Sequence, residues 1–325
     1  MSGSSGSRAV IAALGANLGI ALIKFVAFAI TASTSLLAEG VHSLVDSGNQ
    51  VLLLIGGKRS RRQATAEHPF GYGRDRYVYG FLVSLMLFSA GGLFALYEGI
   101  QKILHPHQLE SPIVAFAVLA VAIILESFSL RTAVAESRPL KGDSSWPQFI
   151  RRAKVPELPV VLLEDVAALV GLVLALFGVT MATVTDNGVW DGIGTICIGA
   201  LLIAVAVVLV IETKSLLLGE SASPAMVEAI ATNLIGPGVE RIIHLRTMHL
   251  GPEELLIGAK LAMSPSATLA DAAQAIDDAE QRVRAAVPSA RVIYLEPDVD
   301  RSSADSAVDD VRAEASADRP GGSVA

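Results

Sequence analysis

The sequence predicts an all-α six-helix transmembrane bundle followed by a C-terminal cytoplasmic α+β domain of ferredoxin-like type. Three observations lead there. Long apolar stretches fill residues 9–211, giving 52% hydrophobic residues over 325 positions and a mean hydropathy of +0.54. Only 18% of the chain is charged, against about a quarter in soluble domains. From residue 220 onward the charge returns, together with an alternation of helix and strand patterns. The expected boundaries are 1–214 for the transmembrane domain, 215–298 for the ferredoxin-like domain and 299–325 for a disordered acidic tail.

A helix needs about 20 mostly apolar residues to cross a bilayer. Six segments qualify: 9–31, 34–57, 77–99, 112–134, 157–181 and 189–211. The N-terminal MSGSSGSRAV carries one basic residue and no small-residue cleavage site follows, so the first span reads as a retained helix, not a signal peptide. Basic residues concentrate in two inter-span segments. The first holds Lys58, Arg59, Arg61, Arg62, Arg74 and Arg76; the second holds Arg131, Arg138, Lys141, Arg151, Arg152 and Lys154. The other loops offer little beyond Lys102. Cytoplasmic loops are the Lys- and Arg-rich ones, so both basic segments are assigned to the cytoplasm, and an even number of spans puts both termini there. Seven Lys against eighteen Arg, with abundant Ala and Val, suits a GC-rich bacterial genome, and hence a multi-pass protein of the bacterial inner membrane.

Beyond the spans, residues 223–236 read as an amphipathic helix, RIIHLRTMHL and ELLIGAKLAM as strands parted by the turn signal GPE, and ARVIYLE as a third strand. Between them TLADAAQAIDDAEQRVRAAV places Leu269, Ile276, Val283 and Val287 on one helical face, and Thr268 with Asp271 forms a capping box. The order αββαβ in so short a segment suits a small sheet with helices on one face. The tail is rich in Asp, Ser and Ala, too polar to bury a core.

Ionisable groups inside spans are costly and mark function. Span two contains Glu39, His42 and Asp46, followed by Asn49 and Gln50; His42 and Asp46 are i and i+4, one turn apart on one face. Span five contains the adjacent pair Glu164 and Asp165. Two helices presenting carboxylates and one imidazole to one point make a four-coordinate cation site: His42, Asp46, Glu164 and Asp165, with Glu39 the other candidate for the last place. Clustered carboxylates in a low dielectric repel one another. A divalent ion relieves that repulsion and so does protonation, so the site has two satisfied states, as an exchanger of metal for protons requires. Lys24 and Glu126, also within spans, read as snorkelling or structural residues. One imidazole among carboxylates is harder than a typical zinc site, which keeps Mn²⁺ and Fe²⁺ open beside Zn²⁺.

Several classes are excluded. The net charge of −7 divides between an acidic tail and basic membrane-flanking loops, so no nucleic-acid partner is implied. A single cysteine, Cys197, allows neither an intramolecular disulfide nor a cysteine metal site. The competitor from another class is a membrane-embedded metal-dependent hydrolase or sensor; the lack of an HExxH motif or nucleophile elbow argues against an enzyme, and the lack of a P-loop against ATP-driven transport.

HSLVD (His42 to Asp46), the preceding SLLAEG, HPFGYGR (His68 to Arg74) and the early ANLGIALIKFVAF resemble signatures of the cation diffusion facilitator family. Combined with six spans and the αββαβ domain, the resemblance covers about residues 8–298. It implies a homodimer that exports zinc or a related divalent cation from the cytoplasm in exchange for protons, with the transported ion and no resident cofactor at a site between spans two and five. Two positions depart from the family pattern. Four residues before Asp165, where a His or Asp is usual, stands Val161, and Glu164 is the substitute; PELPVVLLED is similar to the branch with the mitochondrial zinc transporters. In the soluble domain Tyr294 stands where a His ligand would, Glu296 takes the acidic place, and His244 and His249 fall off the ligand frame, so the ligand set some members carry there is incomplete. His68 is expected to structure its loop, with Gly71 and Gly73 supplying turn freedom.

Overall fold

The computed structural model describes residues 6–31, 34–106 and 112–299; the expected acidic tail, from residue 300 on, lies outside them. The chain divides into two compact units that meet in sequence near Ser221.

The first unit is helical. Its elements are α1 (Ser7–Thr31), α2 (Thr34–Arg59), α3 (Asp75–Met86), a π-helical segment (Leu87–Leu93) running straight into α4 (Phe94–Leu104), α5 (Pro112–Lys141), the short α6 (Trp146–Arg152), α7 (Glu157–Thr185) and α8 (Val189–Leu218). With α3, the π segment and α4 counted as one rod, the described residues form six long rods. Five of them are long and apolar enough to cross a membrane, α2 being the exception. Yet α2 packs between α1 and α3 and is 26 residues long; the polar residues that lower its hydropathy are the candidate site itself. The rods expose large apolar side chains such as Leu22, Ile30, Ile113, Phe128 and Val184. A bundle that leaves such residues outside suits lipid as its solvent.

Element ends differ from the sequence expectation. Spans were cut where charge begins, but α5 continues to Lys141 with Arg131 and Arg138 inside it, and α4 continues to Leu104 with Lys102 in its last turn. Lys102 is therefore not a loop residue: its Nζ lies 3.0 Å from Asp191 Oδ2 and 3.2 Å from Glu98 Oε1. The α4–α8 contact depends on facing glycines. A Cβ on Gly99 would sit 2.8 Å from the Ile196 backbone nitrogen, and one on Gly199 would sit 2.8 Å from that of Leu96. Small residues let two membrane helices approach this closely. In the loop after α2, Thr65 N–H donates to the His68 carbonyl (3.2 Å) and Gly71 N–H does the same (2.9 Å), with the His68 and Tyr72 rings 4.6 Å apart. Only Gly71 uses a positive φ, 77°; Gly73 does not.

The second unit holds α9 (Pro224–Leu234), β1 (Arg241–Gly251), β2 (Glu254–Met263), α10 (Leu269–Ala286) and β3 (Ala290–Val299), in sheet order β1-β2-β3. Only Pro252 and Glu253 join β1 to β2, a connection short enough for a hairpin alone. β2 and β3 run parallel, Leu256 opposite Val292 and Lys260 opposite Glu296, with α10 as the crossover. Alternate β2 residues Leu255, Ile257, Ala259 and Leu261 are buried against Ile230, Leu234, Ala275, Ala279 and Val283 from the two helices. Leu269 departs from the expected face: it is 86% exposed, because it opens α10 before the helix reaches the core. Thr268 and Asp271 do form the capping box.

Candidate metal centre

On α2 the i, i+4 spacing brings His42 Nε2 within 3.6 Å of Asp46 Oδ2. The Phe94 ring lies nearly parallel to that of His42, centroids 6.3 Å apart. One further turn along the stripe is Gln50, fully buried. Its Oε1 accepts from Asn17 Nδ2 (3.2 Å) and its Nε2 donates to Glu164 Oε2 (2.9 Å), so a polar chain runs from α1 through α2 to α7.

Glu164 and Asp165 are both buried on α7. Adjacent residues of a helix point about 100° apart, which from sequence suggested that the helix must turn or bend there. No bend is used. The two acids reach different neighbours: Glu164 reaches α2 through Gln50, whereas Asp165 Oδ2 accepts from Ser129 Oγ of α5 at 2.8 Å. Each carboxylate has a second oxygen to offer, and Glu164 Oε1 is buried with no hydrogen-bond partner among the described residues. Val161, the position the family pattern would give to a ligand, is packed in the apolar core with Leu53, Leu158 and Leu162.

His42, Asp46, Glu164 and Asp165 all line one cavity of about 250 Å³. A water takes about 30 Å³ in the liquid, so the space admits an ion with part of its hydration shell. In this conformation no three His, Cys, Asp or Glu side chains among the described residues stand close enough to hold an ion jointly. Holding one would require side-chain rotation about the preformed His42–Asp46 pair. Glu39 lines the same cavity, but its Oε2 is 3.5 Å from Lys24 Nζ, which also donates to Ser43 Oγ at 3.0 Å. Lys24 therefore pairs inside the bundle instead of snorkelling. Glu126 likewise faces the cavity and is buried, so of the two roles expected for it, snorkelling or structural pairing, it does not snorkel. The roles of Gln50 and Ser129 were not readable as such, although Gln50 continues the stripe of His42 and Asp46 at i+4 from Asp46.

In the second unit, His244 is exposed while His249 is buried; an odd spacing along a strand puts side chains on opposite faces. Glu296 is engaged by Lys260, whose Nζ lies 3.1 Å from Glu296 Oε1 and 3.0 Å from Asp298 Oδ2.

Two family models match: the cation efflux transmembrane domain over residues 10–218 and the cation efflux protein cytoplasmic domain over 222–298. The proton-coupled zinc antiporter SLC30A9 of mitochondria from Xenopus laevis is 34% identical over 224 residues, which are 68% of this chain but 40% of the frog protein. The human counterpart is 32% identical over the same share of this chain and 39% of its own length. Thus the chain spans well under half of these relatives. The cation-efflux pump FieF of Pectobacterium atrosepticum is 30% identical over 286 residues, 88% of this chain and 90% of the pump. A bundle of membrane-length helices with buried acids at its centre, followed by an αββαβ unit, thus meets matches along nearly its whole described length, and the chain is a multi-pass membrane protein that belongs to the cation efflux family, a family of transporters and not of enzymes.

Proposed function

We propose that the protein exports a divalent metal cation, zinc foremost, from the cytoplasm in exchange for protons, working as a homodimer in the bacterial inner membrane with both termini cytoplasmic. His42, Asp46, Glu164 and Asp165 hold the ion in transit. The observation that carries this reading is their placement on one cavity wall, with Glu164 Oε1 buried and unpartnered. An unpaired carboxylate oxygen in a water-poor bundle must be satisfied by a cation or a proton. The cluster accordingly rests in either of two states, metal-bound or protonated, and each state excludes the other. Exchange follows when the cavity opens to one face of the membrane with metal bound and to the other with protons bound. Names of relatives add weight, a proton-coupled zinc antiporter and a cation-efflux pump, as does the concentration of Lys and Arg in the two loops on the side of the termini.

A second reading, export of Mn²⁺ or Fe²⁺, is favoured by the donor set. Carboxylate oxygens outnumber the single imidazole, and Zn²⁺ prefers fewer ligands richer in nitrogen or sulfur. Purified protein in proteoliposomes decides between them. Zinc uptake should rise with an outward-directed proton gradient and collapse when the gradient is dissipated. Uptake indifferent to that gradient would rule out exchange, and uptake of Mn²⁺ but not Zn²⁺ would rule out zinc.

A further inference from the structure

Helix α5 carries a carboxylate into the cavity that neither the α2 stripe nor the α7 pair accounts for. Glu126 is 5% exposed, lines the cavity, and has no hydrogen bond or ion pair among the described residues. Three residues on, Ser129 donates to Asp165 Oδ2, so the face of α5 that holds Asp165 is the face that presents Glu126. Ala122, one turn back on that face, also lines the cavity and is small, leaving the Glu126 carboxylate an open approach. The charges acting on Glu126 are Asp165 and Asp46, both repulsive, and Lys24. Lys24 is already committed to Glu39 and Ser43. A buried carboxylate facing two others with no cation of its own needs a positive partner that the helices do not supply.

We propose that Glu126 is a further oxygen donor to the transported cation, and that it shifts metal preference toward harder ions such as Mn²⁺ relative to Zn²⁺. The inference rests on the export reading above and extends its site from two helices to three. With Glu126 added, a cation in the cavity meets one imidazole and as many as four carboxylates. Hard ions with high coordination numbers gain from an extra oxygen, whereas tetrahedral Zn²⁺ gains less.

The test uses full-length protein in proteoliposomes with ZnCl₂ and MnCl₂, separately and in competition. Glu126→Gln keeps the shape and removes the charge. It should lower Mn²⁺ flux about tenfold more than Zn²⁺ flux, the scale on which single supporting groups affect metal affinity. Equal loss for both metals, or no loss for either, would overturn the proposal. Should Glu126→Gln yield no folded protein, Glu126→Asp decides: a carboxylate drawn back by one methylene should give an intermediate shift in the Mn²⁺:Zn²⁺ ratio, and an unchanged ratio refutes the role. Asp46→Asn is run alongside. If that variant transports both metals normally, the export site itself is misplaced, an outcome distinct from failure at Glu126.

Discussion

Glu164 and Asp165 are neighbours in sequence but belong to different parts of the centre, one hydrogen-bonded to α2 and one to α5. That division decides what each contributes when an ion arrives. Asp46 and Asp165 stand on different helices, and in the proposed export each would offset part of the ion's desolvation in a low dielectric. Replacing either with Asn keeps size and removes charge, so metal flux in proteoliposomes should fall to background for Asp46→Asn and for Asp165→Asn. The double variant should be no worse, because residues that act as one unit are not additive. Near-normal flux with either Asp neutralised would move the site toward Glu39 and Glu126. At this scale the sequence reveals what lies within one helix. His42 and Asp46 stood out through their i, i+4 spacing. The bonds of Gln50 to Glu164 and Ser129 to Asp165 cross between helices, and no local pattern encodes them. For Lys24 and Glu126 only the neighbouring helices decide between the two expected roles, snorkelling and structural pairing: Lys24 pairs with Glu39 and Ser43, while Glu126 faces the cavity.

Among the elements, hydropathy accounts for five of the six rods, on which lipid imposes length and apolarity; α2, also expected as a span, has the length but falls short of that apolarity because it carries the candidate site. Hydropathy located the ends of the rods less well, because charged last turns look like loops: Lys102, in the last turn of α4, is ion-paired with Glu98 and with Asp191 of α8, and Arg138 lies inside α5. The π-helical segment and the glycine contacts of α4 with α8 had no legible signal, since both answer to a facing helix. The capping box of α10 was legible, being local. Thr268 Oγ1 accepts from the Asp271 backbone N–H at 3.2 Å, and Asp271 Oδ2 accepts from the Thr268 hydroxyl and backbone N–H at 2.7 and 3.0 Å. Those bonds, the hydroxyl's foremost, hold the Asp271 carboxyl below its ordinary 3.8. A carboxyl depressed in the folded state adds stability that is complete above the unfolded pKa and lost as pH falls through the folded one. Thr268→Ala should therefore destabilise a 221–299 fragment by about 1 kcal/mol near neutral pH. The difference from wild type should shrink as the pH drops below 3.8. Chemical denaturation at two pH values measures it, and a gap that widens in acid would show that Asp271 is not the residue the cap depends on.

Across the whole bundle, cavity and core occupy opposite ends. The cavity is lined by the middle of α1 (Asn17 to Lys24), the first half of α2 (Leu36 to Asp46), the first half of α5 (Ala115 to Glu126) and the first half of α8 (Asp191 to Leu202). All of these lie toward the end where α1 finishes and α2 begins. At the other end, which carries the start of α1 and the close of α8, Leu53, Val83, Leu158, Leu162 and Leu209 pack into a buried apolar cluster. Beyond that plug Arg76 of α3 grips Glu157 of α7 with two bonds, Nε to Oε1 at 2.5 Å and Nη2 to Oε2 at 2.9 Å, both side chains largely buried. A doubly bonded pair away from water resists opening, and removing one partner strands the other's charge. The cavity thus lies toward the end where α1 finishes and α2 begins, and the apolar plug with its ion pair toward the end where α1 begins and α8 closes. In a Cys197→Ser background, Ala175→Cys, on the cavity wall, should react with a membrane-impermeant thiol reagent applied to the side where α1 ends and α2 begins. Leu209→Cys, inside the plug, should be protected from both sides. Adding Glu157→Gln should open the clasp and raise labelling of Leu209→Cys from the side where α1 begins and α8 ends. Leu209→Cys reacting as fast as Ala175→Cys with the clasp intact would mean that this end is not sealed, and unchanged protection after Glu157→Gln would mean that the plug holds without the ion pair.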